Sequence, residues 1–488
     1  MLRKGELQRD IEAYLSKGRY PFHMPGHKRT ALFDNGLPYA VDLTELPETD
    51  DLHDASGMLL RAMRRSAELY GAGRTWYLVN GSSCGNLAGI FAMTRPGDEV
   101  IAARNCHRSV YHAAQLRNLK VHWLLPDWEE EFGIFGSVRA EEAERLLRRY
   151  PKSRALILTS PSYEGIVSDI ESIAALCHER GVPLYVDEAH GAHFGLEREG
   201  KSFFPRSAIQ LGADLCVQSV HKTLPSLTQT AWLHWKSELI SEREVERRLA
   251  VFESSSPSYP LLLSLDSCTE LLLSRGEELF SHWGSCLAAF ERELAGLQNF
   301  SILKGRGGER FFDRDPGKLL LHCKERGMSG AALSEALRER FSIETEMSLG
   351  RNCLAMTSPL DPEEAYRRLS DAMKTLDREL FLCEKDRVPL SSRGEERVFY
   401  GSALSLPESA LSLGEAAERA HRLIPIGSSL GEISGEYLYA YPPGIPVLAP
   451  GERITEELLR WILRETETGD RLRFSESGEE SGEIFVCQ

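Results

Sequence analysis

No C-x-x-C pair occurs among the ten cysteines of this 488-residue chain, and their scattered single placement indicates neither a disulfide framework nor a zinc site. A reducing, cytoplasmic setting without a metal ion is the expectation. No uncharged apolar run is long enough to span a bilayer, and Met1-Leu2-Arg3-Lys4-Gly5-Glu6 leads into a polar helical pattern where a signal region would be apolar. Basic charge is in deficit. Against 73 Asp and Glu stand 58 Lys and Arg, and the net charge of −15 argues against nucleic acid or an anionic membrane as partner while suiting a cationic ligand. Neither G-x-G-x-x-G nor G-x-x-x-x-G-K-[ST] accompanies the candidate residues below, which weakens a dinucleotide or nucleoside triphosphate reading, and no internal repeat is visible.

What is present suits a large globular protein: 42% hydrophobic content fills sizeable cores, and the length allows about three domains of roughly 150 residues. Residues 5 to 18 read as a short amphipathic helix. Two prolines and a glycine in Pro21-Phe22-His23-Met24-Pro25-Gly26-His27-Lys28 forbid a helix, so an extended arm follows. A second irregular stretch, Asp42 to His53, gathers Glu45, Glu48, Asp50, Asp51 and His53; taken bare, both stretches read as solvated loops ahead of site segments. From residue 75 strand and helix alternate. Asn80-Gly81-Ser82-Ser83-Cys84-Gly85-Asn86 opens a helix after the strand Leu78-Val79, and its free N–H groups with the Ser82 and Ser83 hydroxyls make either a phosphate cradle or an ordinary helix cap. His107 heads another helix. The strand through Val186 ends in Asp187-Glu188-Ala189-His190-Gly191-Ala192-His193.

The residue that organises these parts is Lys222, just past the buried-strand run Ala213-Asp214-Leu215-Cys216-Val217. A free lysine titrates at about 10.4, and desolvation at a strand end lowers that value, leaving a neutral amine able to form a Schiff base with an aldehyde cofactor. The alternative is a surface lysine at a strand-loop junction. Successive strand-helix-strand units imply a parallel sheet with helices on both faces, whose ligands sit at the carboxyl ends of the strands. Ser82, Ser83, His107, Tyr163, Asp187, His190 and Lys222 all fall there. An aspartate for a pyridinium nitrogen, a helix N-terminus for a phosphate and a lysine for an aldehyde together point to pyridoxal 5'-phosphate (PLP). Asp187 would keep the ring nitrogen protonated, because a carboxylate beside a cation favours the charged form.

Ser219-Val220-His221-Lys222, the run Asp187 to His193 and the arm Pro21 to His27 resemble the Orn/Lys/Arg decarboxylase family in its shorter bacterial form. So do Asp50-Asp51-Leu52-His53, Ser255-Ser256-Pro257-Ser258-Tyr259-Pro260, Tyr441-Pro442-Pro443-Gly444-Ile445-Pro446 and Pro450-Gly451-Glu452, so that the resemblance covers nearly the whole chain. It implies an α/β, mostly parallel sheet of the aspartate-aminotransferase-like kind (fold type I). It further implies PLP on Lys222, Asp187 at the pyridine nitrogen, His107 stacked on the ring and Ala189 on its opposite face. Ser82, Ser83, Ser219 and His221 would surround the phosphate, and Ser255 or Ser256 would reach the cofactor of a neighbouring subunit, so a homodimer or higher homo-oligomer is implied. Cys84 stands where a third hydroxyl residue is common, and Ser254-Ser255-Ser256 replaces a threonine-richer stretch.

Four segments are expected: an N-terminal helix and arm over 1–60, a PLP-binding large domain over 61–265, a linking helix and small α/β domain over 266–384, and a C-terminal domain over 385–488 with an acidic, mobile tail from Glu465 to Glu483. The implied activity is decarboxylation of arginine, lysine or ornithine to the amine and CO2, feeding polyamine or diamine synthesis. The resemblance favours arginine. Whichever bond lies perpendicular to the conjugated plane breaks, so a perpendicular carboxylate leaves as CO2, and His190, His221 and Lys222 are all candidates to protonate Cα. The substrate's distal cation needs a carboxylate, for which Glu452, Asp50, Asp51 and Glu48 are candidates, with His53 beside them. Two alternatives stand: another PLP enzyme such as an aminotransferase or lyase, with Arg351 as the carboxylate clamp, and a non-catalytic regulator that keeps the fold.

Overall fold

The computed structural model describes residues 4–19, 24–25, 28–29, 36–197, 203–305, 311–324, 328–383, 406–440, 445–468, 472–477 and 482–488. Most of the Pro21–His27 arm and the Tyr441–Gly444 part of the C-terminal motif lie outside the described residues. The chain forms two compact units, one of Met1–Thr94, Ala155–Ser160 and Ile170–His282, the other of Arg95–Arg154, Pro161–Asp169 and Trp283–Gln488. Compactness thus groups the chain discontinuously where the sequence reading expected consecutive segments. In the first unit the cause is parallel pairing, which sets strands far apart in sequence side by side.

In that first unit the strands Arg74–Leu78, Ala231–Trp235, Leu215–Ser219, Leu184–Asp187 and Leu156–Thr159 lie next to one another in that order. The last three pair in parallel, and their Leu184-Tyr185-Val186 and Leu215-Cys216-Val217 runs are fully buried, as strands covered on both faces require. Ala231–Trp235 runs against both its neighbours. The link from Ser219 to Ala231 holds only a one-turn helix, Val220–Thr223, and is too short for a parallel crossover, so the chain turns back. The first part of the helix Tyr259–Glu293 belongs to this unit.

The second unit contains the parallel pair Glu99–Ala103 and Lys120–Leu124. It also holds an antiparallel sheet in the order Phe300–Ile302, Lys318–Cys323, Asn352–Met356, Met347–Leu349. Ser329 caps the helix Gly330–Phe341, its hydroxyl accepting from the Ala332 N–H at 3.1 Å. That helix closes in a Schellman-type end, where Ser342 takes φ +52° and the Ile343 N–H donates back to the Leu337 carbonyl at 3.0 Å, and the next strand starts at Met347.

Toward the C-terminus, Ile445–Leu448, Leu438–Ala440 and Leu472–Phe474 form a three-stranded sheet, and His421–Pro425 pairs with Glu483–Cys487. With the helix Glu456–Thr468 they enclose a core that includes Leu438, Val447, Ile462, Leu472, Ile484 and Val486. Within the stretch read as an acidic tail, the described residues Leu472–Phe474 form one strand of that sheet, and Leu472 is buried in the core.

Candidate active site

The carboxyl edge of the first unit's sheet is built by two strand ends held in register. Asp187 closes one strand and Ser219 the next, and the backbone ties the loops beyond them, Glu188 N–H to Val217 O at 2.9 Å and Ser219 N–H to Ala189 O at 3.2 Å. The one-turn helix Val220–Thr223 then presents Lys222, while the loop after Asp187 presents His190. Lys222 Nζ lies 3.0 Å from His190 Nε2. Lys222 is half-buried and His190 buried, so the amine sits against an imidazole at the margin of solvent.

Asp187 is 2% exposed, and among the described residues no basic side chain forms an ion pair with it. Its Oδ2 accepts from Asn86 Nδ2 at 2.8 Å and its Oδ1 from the Ala189 N–H at 3.1 Å. A buried carboxylate without a countercharge is costly, and a protonated ring nitrogen would supply that charge. At the start of the helix Gly81–Met93, the Ser219 hydroxyl donates to Ser82 Oγ at 2.9 Å, bringing those two hydroxyls together, and Ser83 is exposed in the same turn. His221 is half-buried, and its Nδ1 lies 2.8 Å from the Thr230 carbonyl, which can only accept, so Nδ1 carries the proton. Burial, opposed by that hydrogen bond, holds its pKa below the usual imidazole value. The donor set of lysine, buried aspartate and paired hydroxyls fits PLP.

His107 lies in the second unit, where it caps the helix Arg108–Leu116 through Nδ1, 2.7 Å from Ser109 Oγ, and its side chain is exposed. Ser255 and Ser256 are exposed in a loop whose Ser254 N–H donates to Asn80 Oδ1 at 3.0 Å. His53, expected at the substrate, is bonded instead to that loop, Nε2 to the Ser254 carbonyl at 3.0 Å. Asp50 is also corrected. It takes φ +74° and accepts from the Ser56, Gly57 and Leu59 N–H groups at 3.0, 2.8 and 2.9 Å, serving the head of the helix Met58–Tyr70. Asp51 is exposed and accepts from the His53 and Asp54 N–H groups in a local turn, and Glu48 pairs with Lys17 and Arg19.

Glu452 is the clearest correction. At 2% exposure its Oε1 and Oε2 take Arg104 Nη1 and Nη2 at 2.6 and 2.9 Å, and Oε2 also accepts the Ala449 N–H at 2.8 Å. Both oxygens are committed, and no substrate cation can claim them without uncovering a buried arginine. Glu452→Ala is therefore expected to lower stability by about 3–5 kcal/mol, as loss of one partner from a buried pair does. Denaturant midpoints check this; unchanged stability with a raised substrate KM would return Glu452 to the site.

Three buried polar groups carry no sequence signal of the kind used above. Asn86 bridges Asp187 and Tyr185, whose hydroxyl donates to Asn86 Oδ1 at 2.8 Å. Glu188 accepts from Gln218, Ser207 and the Ala208 N–H, and burial pushes its pKa to about 7. Glu253 accepts from the Val79 N–H at 2.8 Å, and burial raises it from 4.5 to about 8. With the folded value above the unfolded one, its contribution is full below 4.5 and lost as pH rises through about 8. Glu253→Gln keeps an acceptor for Val79 and removes the titration. Melting curves should show a gain of a few °C near pH 9 and little change near pH 5, to order of magnitude; an unaltered pH profile would contradict the burial argument.

The chain is similar along nearly its whole length to known proteins. Residues 7–306 match the model of the Orn/Lys/Arg decarboxylase major domain and residues 402–472 that of its C-terminal domain. An arginine decarboxylase of Bacillus subtilis (strain 168) is 31% identical over 470 residues, covering 94% of this chain and 93% of its own. One from Halalkalibacterium halodurans is 30% identical with the same coverage. The crystal structure of a Francisella novicida lysine decarboxylase superposes with a TM-score of 0.80 at 20% identity, covering 99% of this chain and 81% of that one. With both domain models matched in order and relatives aligned along nearly the whole length, the chain belongs to the Orn/Lys/Arg decarboxylase family and is a PLP-dependent amino-acid decarboxylase.

Proposed function

We propose that this enzyme decarboxylates arginine, releasing CO2 and the corresponding amine for polyamine synthesis. The observation that carries the site is the Lys222–His190 pair of 3.0 Å at the sheet edge that also bears buried Asp187. Arginine is favoured over lysine because the relatives named arginine decarboxylase align at 31% and 30% identity, whereas one named lysine decarboxylase aligns at 23%. When bound, PLP supplies an aldehyde that exchanges amines and an electron-poor ring that accepts the electron pair left by departing CO2.

The chain's own residues do the rest. Lys222 holds the cofactor and yields it to the substrate amine, with His190 Nε2 placed to exchange a proton with Nζ. Asp187 keeps the ring nitrogen charged. Ser82, Ser83, Ser219 and His221 bind the phosphate, and Ser255 or Ser256 serves the neighbouring subunit of a homodimer. Ala189 packs one face of the ring. Of the three candidates to protonate Cα, His221 is the weakest acid to call on, because burial keeps it neutral near pH 7 and its one proton is engaged by Thr230. The purified protein, loaded with PLP and offered arginine, lysine and ornithine separately, should release CO2 with arginine at the highest kcat/KM and yield its amine. Keto-acid formation in place of CO2 would refute decarboxylation, and a preference for lysine or ornithine would refute the substrate.

A further inference from the structure

The helix Gly81–Met93 approaches the sheet unusually closely. A Cβ on Gly85 would stand 2.6 Å from Val217 Cγ2, and one on Gly89 only 2.4 Å from Tyr185 Cε2. Both glycines are needed for space, since these separations leave no room for any side chain. The residue carried inward by that approach is Asn86, 1% exposed. Its Nδ2 donates to Asp187 Oδ2 at 2.8 Å, while its Oδ1 accepts the Tyr185 hydroxyl at 2.8 Å. Tyr185 and Asp187 are two apart on one strand and so face the same way, which lets a single amide span both.

We propose that Asn86 is a positioning residue that fixes the orientation of the Asp187 carboxylate toward the cofactor's ring nitrogen, with Tyr185 holding the amide the right way round. The proposal rests on the reading of Asp187 as the partner of the cofactor's ring nitrogen. Hydrogen bonds at both oxygens set the direction of a carboxylate, and Asn86 supplies the one at Oδ2 while the Ala189 N–H supplies the one at Oδ1. A flipped amide would set carbonyl oxygen against carboxylate, and the Tyr185 hydroxyl selects against that flip. Without Asn86 the carboxylate loses a donor that fixes its direction, and the protonated ring nitrogen loses a well-placed partner and gives up its proton more readily. A neutral ring no longer suppresses protonation of the Lys222 nitrogen joined to the cofactor, since like charges disfavour one another.

The test uses the full-length protein, with PLP as the probe. Asn86→Leu is expected to weaken PLP binding, measured by absorbance titration, about 10-fold or more. The pH at which the bound cofactor's visible band changes is expected to rise by about one unit between about pH 6 and about pH 9. Tyr185→Phe keeps the ring that packs on Gly89 and removes only the hydroxyl, so a smaller change of the same sign is expected, and it carries the test if Asn86→Leu does not fold. Weaker binding with an unmoved absorbance transition would mean a merely structural role and would overturn the proposal, as would wild-type behaviour of both variants. If the wild-type protein itself takes up no PLP, the reading of the site fails instead.

Discussion

Lys222→Ala is expected to fold, to retain its sheet, and to lose turnover by roughly a thousandfold or more, because the nucleophilic amine that holds and hands over the cofactor is gone. Lys222 is half-buried on a one-turn helix in which Val220 and Thr223 are the buried residues, so its truncation removes no core side chain, and its Nζ lies 3.0 Å from His190 Nε2. The variant therefore separates chemistry from architecture. Incubation with PLP followed by borohydride reduction and peptide mass analysis should find the cofactor covalently attached at Lys222 in the wild-type chain and nowhere in the variant. Attachment at another lysine in the unsubstituted protein, or turnover within about tenfold of normal in the variant, would remove Lys222 from its role.

What the sequence made legible was the set of residues whose position follows from local pattern. Asp187, Ser219 and Lys222 could be placed because an apolar run announces a strand and a parallel strand ends at its ligand edge. Glu452 and Asp50 could not be read the same way. A glutamate bound to an arginine 348 positions away looks in sequence just like one waiting for a substrate, and no period or turn chemistry distinguishes them. Asp50 caps a helix that begins eight positions later, across a loop whose left-handed turn has no glycine to mark it. Asn86 fell within a segment read for its hydroxyls and glycines, and its inward direction follows from the spacing of Gly85 and Gly89 against strands that only the fold brings near. The reversed strand Ala231–Trp235 is of a third kind, since direction is set by the length of a connection and not by the residues of the strand.

Asp187→Asn should be damaging twice, and the two effects can be measured apart. For catalysis, the variant loses the charge that holds a proton on the cofactor's ring, and removal of one preorganised electrostatic partner typically lowers kcat about 100- to 1,000-fold. For stability, the local hydrogen bonds decide. Asp187 accepts at both oxygens, from Asn86 Nδ2 and from the Ala189 N–H, whereas an asparagine amide offers one acceptor and one donor. Whichever way the new amide turns, a donor faces a donor at a site 2% exposed, and a buried group left unsatisfied costs about 1–3 kcal/mol. That cost involves no cofactor, so it should lower the denaturation midpoint of protein stripped of PLP as well as of loaded enzyme. The variant also tests the link to Asn86: once Asp187 carries no charge, Asn86→Leu should leave the pH of the bound cofactor's absorbance change nearly where Asp187→Asn alone puts it. If the double variant instead moves that pH by a further full unit, about the size of the single Asn86 effect, then Asn86 acts on the cofactor by some route other than Asp187.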